Sequence, residues 1–592
     1  MNASSRERVI VAGASAAGAL LVTGPLLRPG YLLLRDAVST PRSYPTDSAL
    51  GLGDAAPRAV PQDALLALGS TIVDGGLLVK TILVLALWAA AYGAAVLARE
   101  LLRAPIGAQL VAATVALWNP YVAERLLQGH WSLLAGYAAL PWTVLAAYRV
   151  RSAAATEPSG GGRKLSAWAM LATALAAAGL TPTGALLAGC TALALVRLRQ
   201  LPAAVALWCI ASAPWLAATA LSGAAVEPSD PAGIAAFAAR AEPGLGTLGS
   251  LAGLGGIWNA AAVPDSRTTL LAVVGTLLLL VIVALGIPAV ASGTAATDNR
   301  HVRRIVLLLA AVAILFPALG ATPWGMHALE WLVTWVPGTG LLRDTQKYVA
   351  LAMPAYALCA AAACAGPGRR LVGVTTRHPV SVHPAVTSTV AALFIALLVL
   401  PLYDLAWGVG GTMRAVHYPS GWQRVAEQVD DSGDIAVLPG GMFRKFRFSG
   451  PAPVLDPAPR MLPDDVLQTG ELPVRGHTVA GEGTRAREVE NLLLRGGPAT
   501  DLADLGVGWV LVERTTPGPL GDSAQTLAQL ELTYRDTDLA LYRVPGDIAQ
   551  RGSTTAQRSI VYAAHLLWGA TLLAGPLVLL GTRVLSRTRP RR

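Results

Sequence analysis

The stretch Tyr31-Leu-Leu-Leu-Arg-Asp-Ala-Val-Ser-Thr-Pro41 follows a run of apolar and small residues from Val9 to Leu27 that is closed by Arg28 and Pro29. About 20 such residues cross the ~30 Å hydrocarbon core of a bilayer as a helix. The run therefore reads as a first membrane span, with Leu32 to Leu34 resting in the far interface and Asp36 at its surface. Asp36 heads a long polar loop, residues 28–76, that is rich in proline and carries Asp47, Asp54 and Asp63. A carboxylate there lies where lipid phosphate meets water, so this loop is the first candidate site and the rest of the chain its scaffold.

Bulk composition agrees. Of 592 residues, 54% are hydrophobic and only 14% charged, and mean hydropathy is +0.51, outside the range of soluble domains. The fold class expected is an α-helical polytopic membrane protein. A net charge of +10 does not point to nucleic acid, because many of the basic residues gather in short loops on one side. The four cysteines (Cys190, Cys209, Cys359 and Cys364) all lie in apolar runs, which argues against a disulfide framework or a cysteine metal site. The first span lacks an Ala-X-Ala exit and reads as a retained helix. Val9-Ile-Val-Ala-Gly-Ala-Ser-Ala-Ala-Gly18, with Asp36 beyond it, imitates a dinucleotide-binding fingerprint. Ser15 replaces its central glycine, and a small-residue packing face explains the run better.

Basic loops set the topology. Arg6 and Arg8 precede the first span, and Arg99/Arg103, Arg163/Lys164, Arg303/Arg304 and Arg369/Arg370 recur at alternate turns. About twelve spans follow, with both termini cytoplasmic. The flanks of the Ala-rich stretch Leu165 to Val196 want the same side, which predicts two short helices around Thr181-Pro-Thr-Gly184. Trp324, Ala328, Trp331 and Trp335 recur at helical spacing, as in a helix lying in the outer interface. Residues 1–403 form the membrane domain, and 404–556 have soluble composition. Within the latter, Trp422 to Val429 reads as a helix, and Ile435 to Leu438, Trp509 to Val512 and Leu539 to Val544 as strands. A small extracytoplasmic α/β domain is expected there. Residues 557–592 supply a final span and a basic cytoplasmic tail.

The acidic first external loop, the many spans and the C-terminal extracytoplasmic domain resemble the GT-C superfamily of membrane glycosyltransferases. The wording of the first loop, Arg35-Asp36 through Ala49-Leu-Gly-Leu-Gly53 and Pro57-Arg-Ala-Val-Pro61, is most similar to actinobacterial members that build cell-envelope glycans. Asn119-Pro-Tyr-Val-Ala-Glu124-Arg125 and Arg343-Asp-Thr-Gln-Lys347 are similar to that group too. The resemblance implies a polyprenyl-phosphate sugar donor, a cell-envelope glycan or glycolipid acceptor, and an acidic residue supplied by the first loop. Mannose and arabinofuranose are the sugars it suggests. Many members show two neighbouring acids; here Asp36 stands alone beside Arg35, which leaves the metal requirement and the base assignment open. No cofactor is expected to be required, with a divalent cation as the alternative.

Transfer from a lipid phosphate needs a base for the acceptor hydroxyl and cations for the departing phosphate. Asp36 is the candidate base, with Asp47 the fallback in the same loop; a bare interfacial ion pair is the alternative reading of Asp36. Arg343 and Lys347, four apart, share a face if their segment is helical and would clamp the phosphate, or else snorkel as a pair that anchors the helix end. Asp344 and Gln346 flank them. Arg35, Glu124, Arg125 and His130 are further candidates for substrate binding, with Gln128 on the same face as Glu124; capping of the hairpin tip competes with that role. His327 and Glu330 lie on the Trp-rich helix. In Phe443-Arg-Lys-Phe-Arg-Phe448 a strand would bury Phe446 and Phe448 and expose Lys445 and Arg447.

Two rival functions compete. A lipid-linked glycan flippase would carry charges inside its spans along a path, whereas the charges here gather at span ends. A non-catalytic envelope assembly protein would tolerate loss of Asp36.

Overall fold

The computed structural model describes residues 3–153, 161–222, 230–292, 297–336, 338–373, 384–430, 432–474 and 477–588. Among them, nine helices are long and apolar enough to cross a membrane: Ser5–Leu27, Gly75–Leu102, Ile106–Gln128, Trp131–Ala153, Leu271–Ala291, Asp298–Gly320, Thr345–Gly366, Thr387–Gly410 and Thr555–Gly581. A pair bent by 67°, Leu198–Ala211 and Ala213–Leu221, makes ten if it is one span. The chain is a multi-pass membrane protein with nine or ten spans on this measure, against the twelve expected from loop charges. The shortfall falls in the Ala-rich stretch, where helices Gly161–Ala178 and Pro182–Leu195 are separate. Thr181 accepts a hydrogen bond from Gly184 N at 3.1 Å, and Pro182 occupies the first turn. That is a helix start, and it breaks the run into the two short pieces the flanks required.

Between spans, small residues bring backbones together. A Cβ at Gly286 would lie 1.8 Å from the carbonyl oxygen of Cys359, so helices Leu271–Ala291 and Met353–Gly373 pack closely only because this position is glycine. Leu277, Leu285, Leu315 and Leu566 face outward and exposed, as lipid-facing side chains do. Helix Pro323–Trp335 presents Trp324, Trp331 and Trp335 outward, Trp324 being 89% exposed. The aromatic face read from the spacing is therefore present.

The C-terminal α/β unit is built on a four-stranded sheet. Its order is Glu531–Arg535, Leu539–Arg543, Val507–Glu513 and Asp434–Leu438, the last pair parallel and the others antiparallel. Apolar residues at every second position, among them Ile435, Trp509, Leu511, Leu539 and Leu541, point into one core with Trp422 and Val425. Helix Gly421–Ala426 and the three strands lie within two or three residues of their expected places. In the Phe443 to Phe448 segment only Phe443–Arg444 is a strand. Phe446 is nonetheless buried and stacked on Phe448 at 4.9 Å, with Lys445 and Arg447 exposed. Arg444 turns inward to Asp456 (2.9 Å) and Glu513.

The largest departure from the sequence reading is at residues 31–38. Leu32 to Leu34 form a buried strand rather than side chains laid against lipid. Strand β1 (Tyr31–Leu34) pairs with β2 (Ala37–Val38) on one side and with β3 (Ala415–Val416), from the start of the C-terminal unit, on the other. Leu33 and Val38 pack into the core of that unit. Three acids of the first loop are latches: Asp54 binds Arg485 (2.7 Å) and Asp63 binds Arg460 (3.0 Å) of that unit, and Asp47 binds Arg558 at the head of the last span (2.7 Å).

Candidate active site

Two short elements build the site. The first is the β1–β2 hairpin, whose paired residues Leu34 and Ala37 leave Arg35 and Asp36 as a two-residue turn. Arg35 has φ 48°, a left-handed conformation that costs a non-glycine residue about 1–2 kcal/mol. Its surroundings hold it there: the Arg35 guanidinium donates to the carbonyls of Leu127 (2.5 Å) and Ala261, and its own carbonyl accepts from Leu455 N at 2.8 Å. Arg35 thus stitches the turn to three other segments, and its strain fixes the direction of Asp36.

The second element is helix Pro120–Gln128. Asn119 caps it, accepting from Val122 N at 3.1 Å, and Pro120 sits at its first position. Gly129, at φ 87°, ends it. A Cβ on Gly129 would lie 2.3 Å from Ala37 N and 2.5 Å from Leu34 O, so only glycine lets the helix end abut the hairpin. Asp36 N then donates to Gln128 O at 3.1 Å.

Around Asp36, His130 Nε2 stands 2.9 Å and Gln128 Nε2 3.0 Å from the same oxygen, Oδ2. Oδ1 accepts no hydrogen bond from a described residue, and the side chain is 28% exposed. Burial pushes the Asp36 carboxyl up, but the hydrogen bond and electrostatic pull of His130, the Gln128 hydrogen bond and the charge of Lys347 outweigh it and hold it below the ordinary carboxylate value. The His130 imidazole is pushed down, first by burial and then by the cations Lys347 and Arg125, against the pull of Asp36.

Behind His130 lies a buried network. Arg125 NH1 is 3.0 Å from both His130 Nδ1 and Asp344 Oδ2, its NH2 reaches Gln346 Oε1, and its guanidinium lies over the Tyr121 ring at 5.3 Å. Gln346 Nε2 donates to Glu124 Oε2 (3.2 Å) and to Gly255 O (3.1 Å). Glu124 accepts from the backbone of Gly256 (3.1 Å) and Ile257 (3.2 Å). Glu124, Arg125, Asp344 and Gln346 are buried and bound to one another, with Arg125 Nε left without a partner among the described residues, and they form the floor of the site. Burial raises the Asp344 carboxyl, yet Arg125 and Lys347 bring it below its ordinary value.

Arg343 and Lys347 are not on one helical face. Two 3₁₀ segments, Thr339–Leu342 and Thr345–Ala352, meet at Asp344, whose φ of −94° and ψ of 78° break the helix between them. Lys347 Nζ turns to Asp344 (3.7 Å) on the Asp36 side, with a quarter of its side chain exposed. Arg343 turns to Glu482 of the C-terminal unit (3.7 Å) and lies over the Phe237 ring (5.8 Å). Glu482 also takes Arg58 of the first loop at 2.5 Å. The clamp expected from i, i+4 spacing is therefore divided between two jobs. Asp47 is committed too: Arg558 and Ser553 N (2.7 Å) occupy its oxygens. Glu330 and His327 sit on the surface helix, where His327 Nδ1 lies 2.7 Å from Pro323 O of its own turn. Asn259, which no motif marked, donates to Gln128 Oε1 at 2.8 Å; the Glu124-to-Gln128 spacing signalled Gln128, but nothing local signalled Asn259. Among the described residues no group of three or more His, Cys, Asp or Glu is placed to hold a metal ion.

The likeness of this multi-span bundle and its small α/β unit to known proteins is one of fold. No protein-family model matches the sequence, and no curated protein matches it. Solved structures do. The cryo-EM structure of the arabinofuranosyltransferase AftD from Mycobacteria aligns with TM-score 0.53 and 16% identity over 92% of this chain. A point mutant of AftD aligns with TM-score 0.51 and 16% identity over 91% of this chain. This chain spans 40% of the length of the first and 42% of the second.

Proposed function

We propose that this protein is an inverting glycosyltransferase that moves a sugar, arabinofuranose or mannose, from a polyprenyl-phosphate donor to a cell-envelope glycan or glycolipid. The reaction takes place on the external face of the plasma membrane, with both termini cytoplasmic and residues 404–556 outside. The acceptor hydroxyl oxygen bonds to the anomeric carbon, the bond from that carbon to phosphate oxygen breaks, and the electron pair leaves with the polyprenyl phosphate. Asp36 takes the hydroxyl proton on Oδ1. Lys347, partly exposed on the Asp36 side, meets the charge developing on the phosphate. Arg343 acts at one remove, tying the mouth of the site to the C-terminal unit through Glu482.

The observation that carries this reading is the carboxylate of Asp36, held by two donors on one oxygen with the other open to solvent, a lysine nearby and a GT-C fold around it. A flippase would carry ionisable groups along a path through its spans, whereas this cluster lies at the span ends, and an assembly protein would tolerate loss of Asp36. The test is transfer by the purified protein in nanodiscs from synthetic farnesyl-phosphate arabinofuranose or mannose to a short glycan acceptor, with the product anomer read by NMR. The scheme needs no divalent cation, so transfer should persist in EDTA. No product from either donor, or product with retained configuration, overturns the reading.

A further inference from the structure

Both ring nitrogens of His130 are occupied by protein groups. Arg125 is an obligate donor, so at 3.0 Å from its NH1 the Nδ1 atom must accept. A neutral imidazole with Nδ1 accepting carries its proton on Nε2, and Nε2 faces Asp36 Oδ2 at 2.9 Å. Arg125 cannot turn away. It is fully buried, fixed by Asp344 and Gln346 and seated over Tyr121. The ring therefore has no nitrogen left for a substrate.

We infer that His130 and Arg125 are positioning residues for Asp36 rather than substrate contacts: Arg125 locks His130 as the Nε2–H tautomer, and His130 with Gln128 holds Oδ2, leaving Oδ1 to receive the proton. This rests on the reading of Asp36 as the base. The groups facing the pair are Lys347 and Asp344 from the 3₁₀ segment, Arg125 from the short helix, and Arg35 of the turn, which points to the carbonyls of Leu127 and Ala261. With Nδ1 accepting from Arg125 the ring is neutral and carries no proton in the cycle; Lys347 and Arg125 oppose its protonation against the pull of Asp36 and Asp344. The ring also keeps the Asp36 carboxylate charged, because a donor on Oδ2 favours the ionised form.

The test has two arms. In nanodiscs, protein labelled with ¹⁵N-histidine is examined by solid-state NMR, the His130 signals being assigned by their loss in His130→Gln. A neutral, Nε2-protonated ring at pH 6 is expected; a cationic or Nδ1-protonated ring overturns the inference. In the transfer assay with farnesyl-phosphate arabinofuranose and mannose, His130→Gln should keep kcat within about tenfold of wild type, because its amide can donate to Oδ2. His130→Ala and Gln128→Ala should move the acid limb of kcat/KM to higher pH with little change in donor KM. A raised donor KM in His130→Ala, or an acid limb near 6.5 that vanishes in His130→Gln, makes His130 a substrate contact or the base and overturns the inference. Full turnover in Asp36→Asn would instead remove the base assignment on which it rests, a result distinct from either.

Discussion

Asp36 Oδ2 and His130 Nε2 lie 2.9 Å apart although 94 positions separate the two residues in the chain. The contact exists because a strained two-residue turn and the end of a nine-residue helix abut through Gly129. Neither element is large, and each is rigid for a local reason: Arg35 is pinned by three segments, and the helix is capped at both ends. Asp36 is thus carried on two short elements, each held by its own local contacts.

Asp36→Asn preserves shape and removes basicity. A placed general base contributes about 10² to 10⁴ in rate, so turnover should fall by that factor while donor affinity survives. Thermal stability should stay close to wild type, since the amide oxygen can still accept from His130. Transfer kinetics and a melting curve on the same preparations check this; near-normal turnover sinks the mechanism.

Lys347→Ala should weaken use of the lipid donor by about 1.5–3 kcal/mol, one to two decades, as expected for a lost charged contact to phosphate. Lys347→Arg should retain more activity because the charge persists. Arg343→Ala should disturb donor kinetics less, and its effect should be non-additive with Glu482→Ala, since the two are paired at 3.7 Å. Equal donor defects in Lys347→Ala and Arg343→Ala would restore a two-residue clamp.

Asp47→Asn should cost stability, about 1–3 kcal/mol, while sparing transfer by the folded protein. Burial raises the Asp47 carboxyl, but Arg558 and Ser553 outweigh it and hold it below its ordinary value. A depressed carboxyl stabilises the folded state fully above its unfolded value, about 3.9, and that contribution is lost as pH falls through the folded one. The gap between Asp47→Asn and wild type should therefore close below about pH 4. Chemical denaturation at pH 7 and pH 3.5 measures it, and a gap that does not change with pH removes the latch.

For orientation, single cysteines at the exposed positions Arg199 and Ala524, in a variant with Cys190 and Cys209 replaced by serine, should differ toward an impermeant thiol reagent on intact cells. Ala524→Cys should label and Arg199→Cys should not. The reverse pattern would place Asp36 on the cytoplasmic face.

The sequence alone determined the parts set by local composition. Runs such as Val9 to Leu27 are spans because a bilayer admits no other use for so many consecutive apolar residues. Trp509 to Val512 and Leu539 to Val544 are strands because apolar β-formers there must bury together. The proline break at Thr181-Pro182 was equally legible. Tertiary structure decided everything that joins distant segments. Leu32 to Leu34 look like interfacial residues until residues 415–416, some 380 positions away, supply a pairing strand. Asp47 looks like a site acid until Arg558 claims it, and Asp54 and Asp63 of the same loop are taken by Arg485 and Arg460. Arg343 and Lys347 share a helical face only if Asp344 is helical, and its pairing with Arg125, 219 positions earlier, goes with a backbone that is not. Ion pairs and strand pairing are fixed by where the closed chain places its charges and edges, and residue spacing along the chain carries no trace of that.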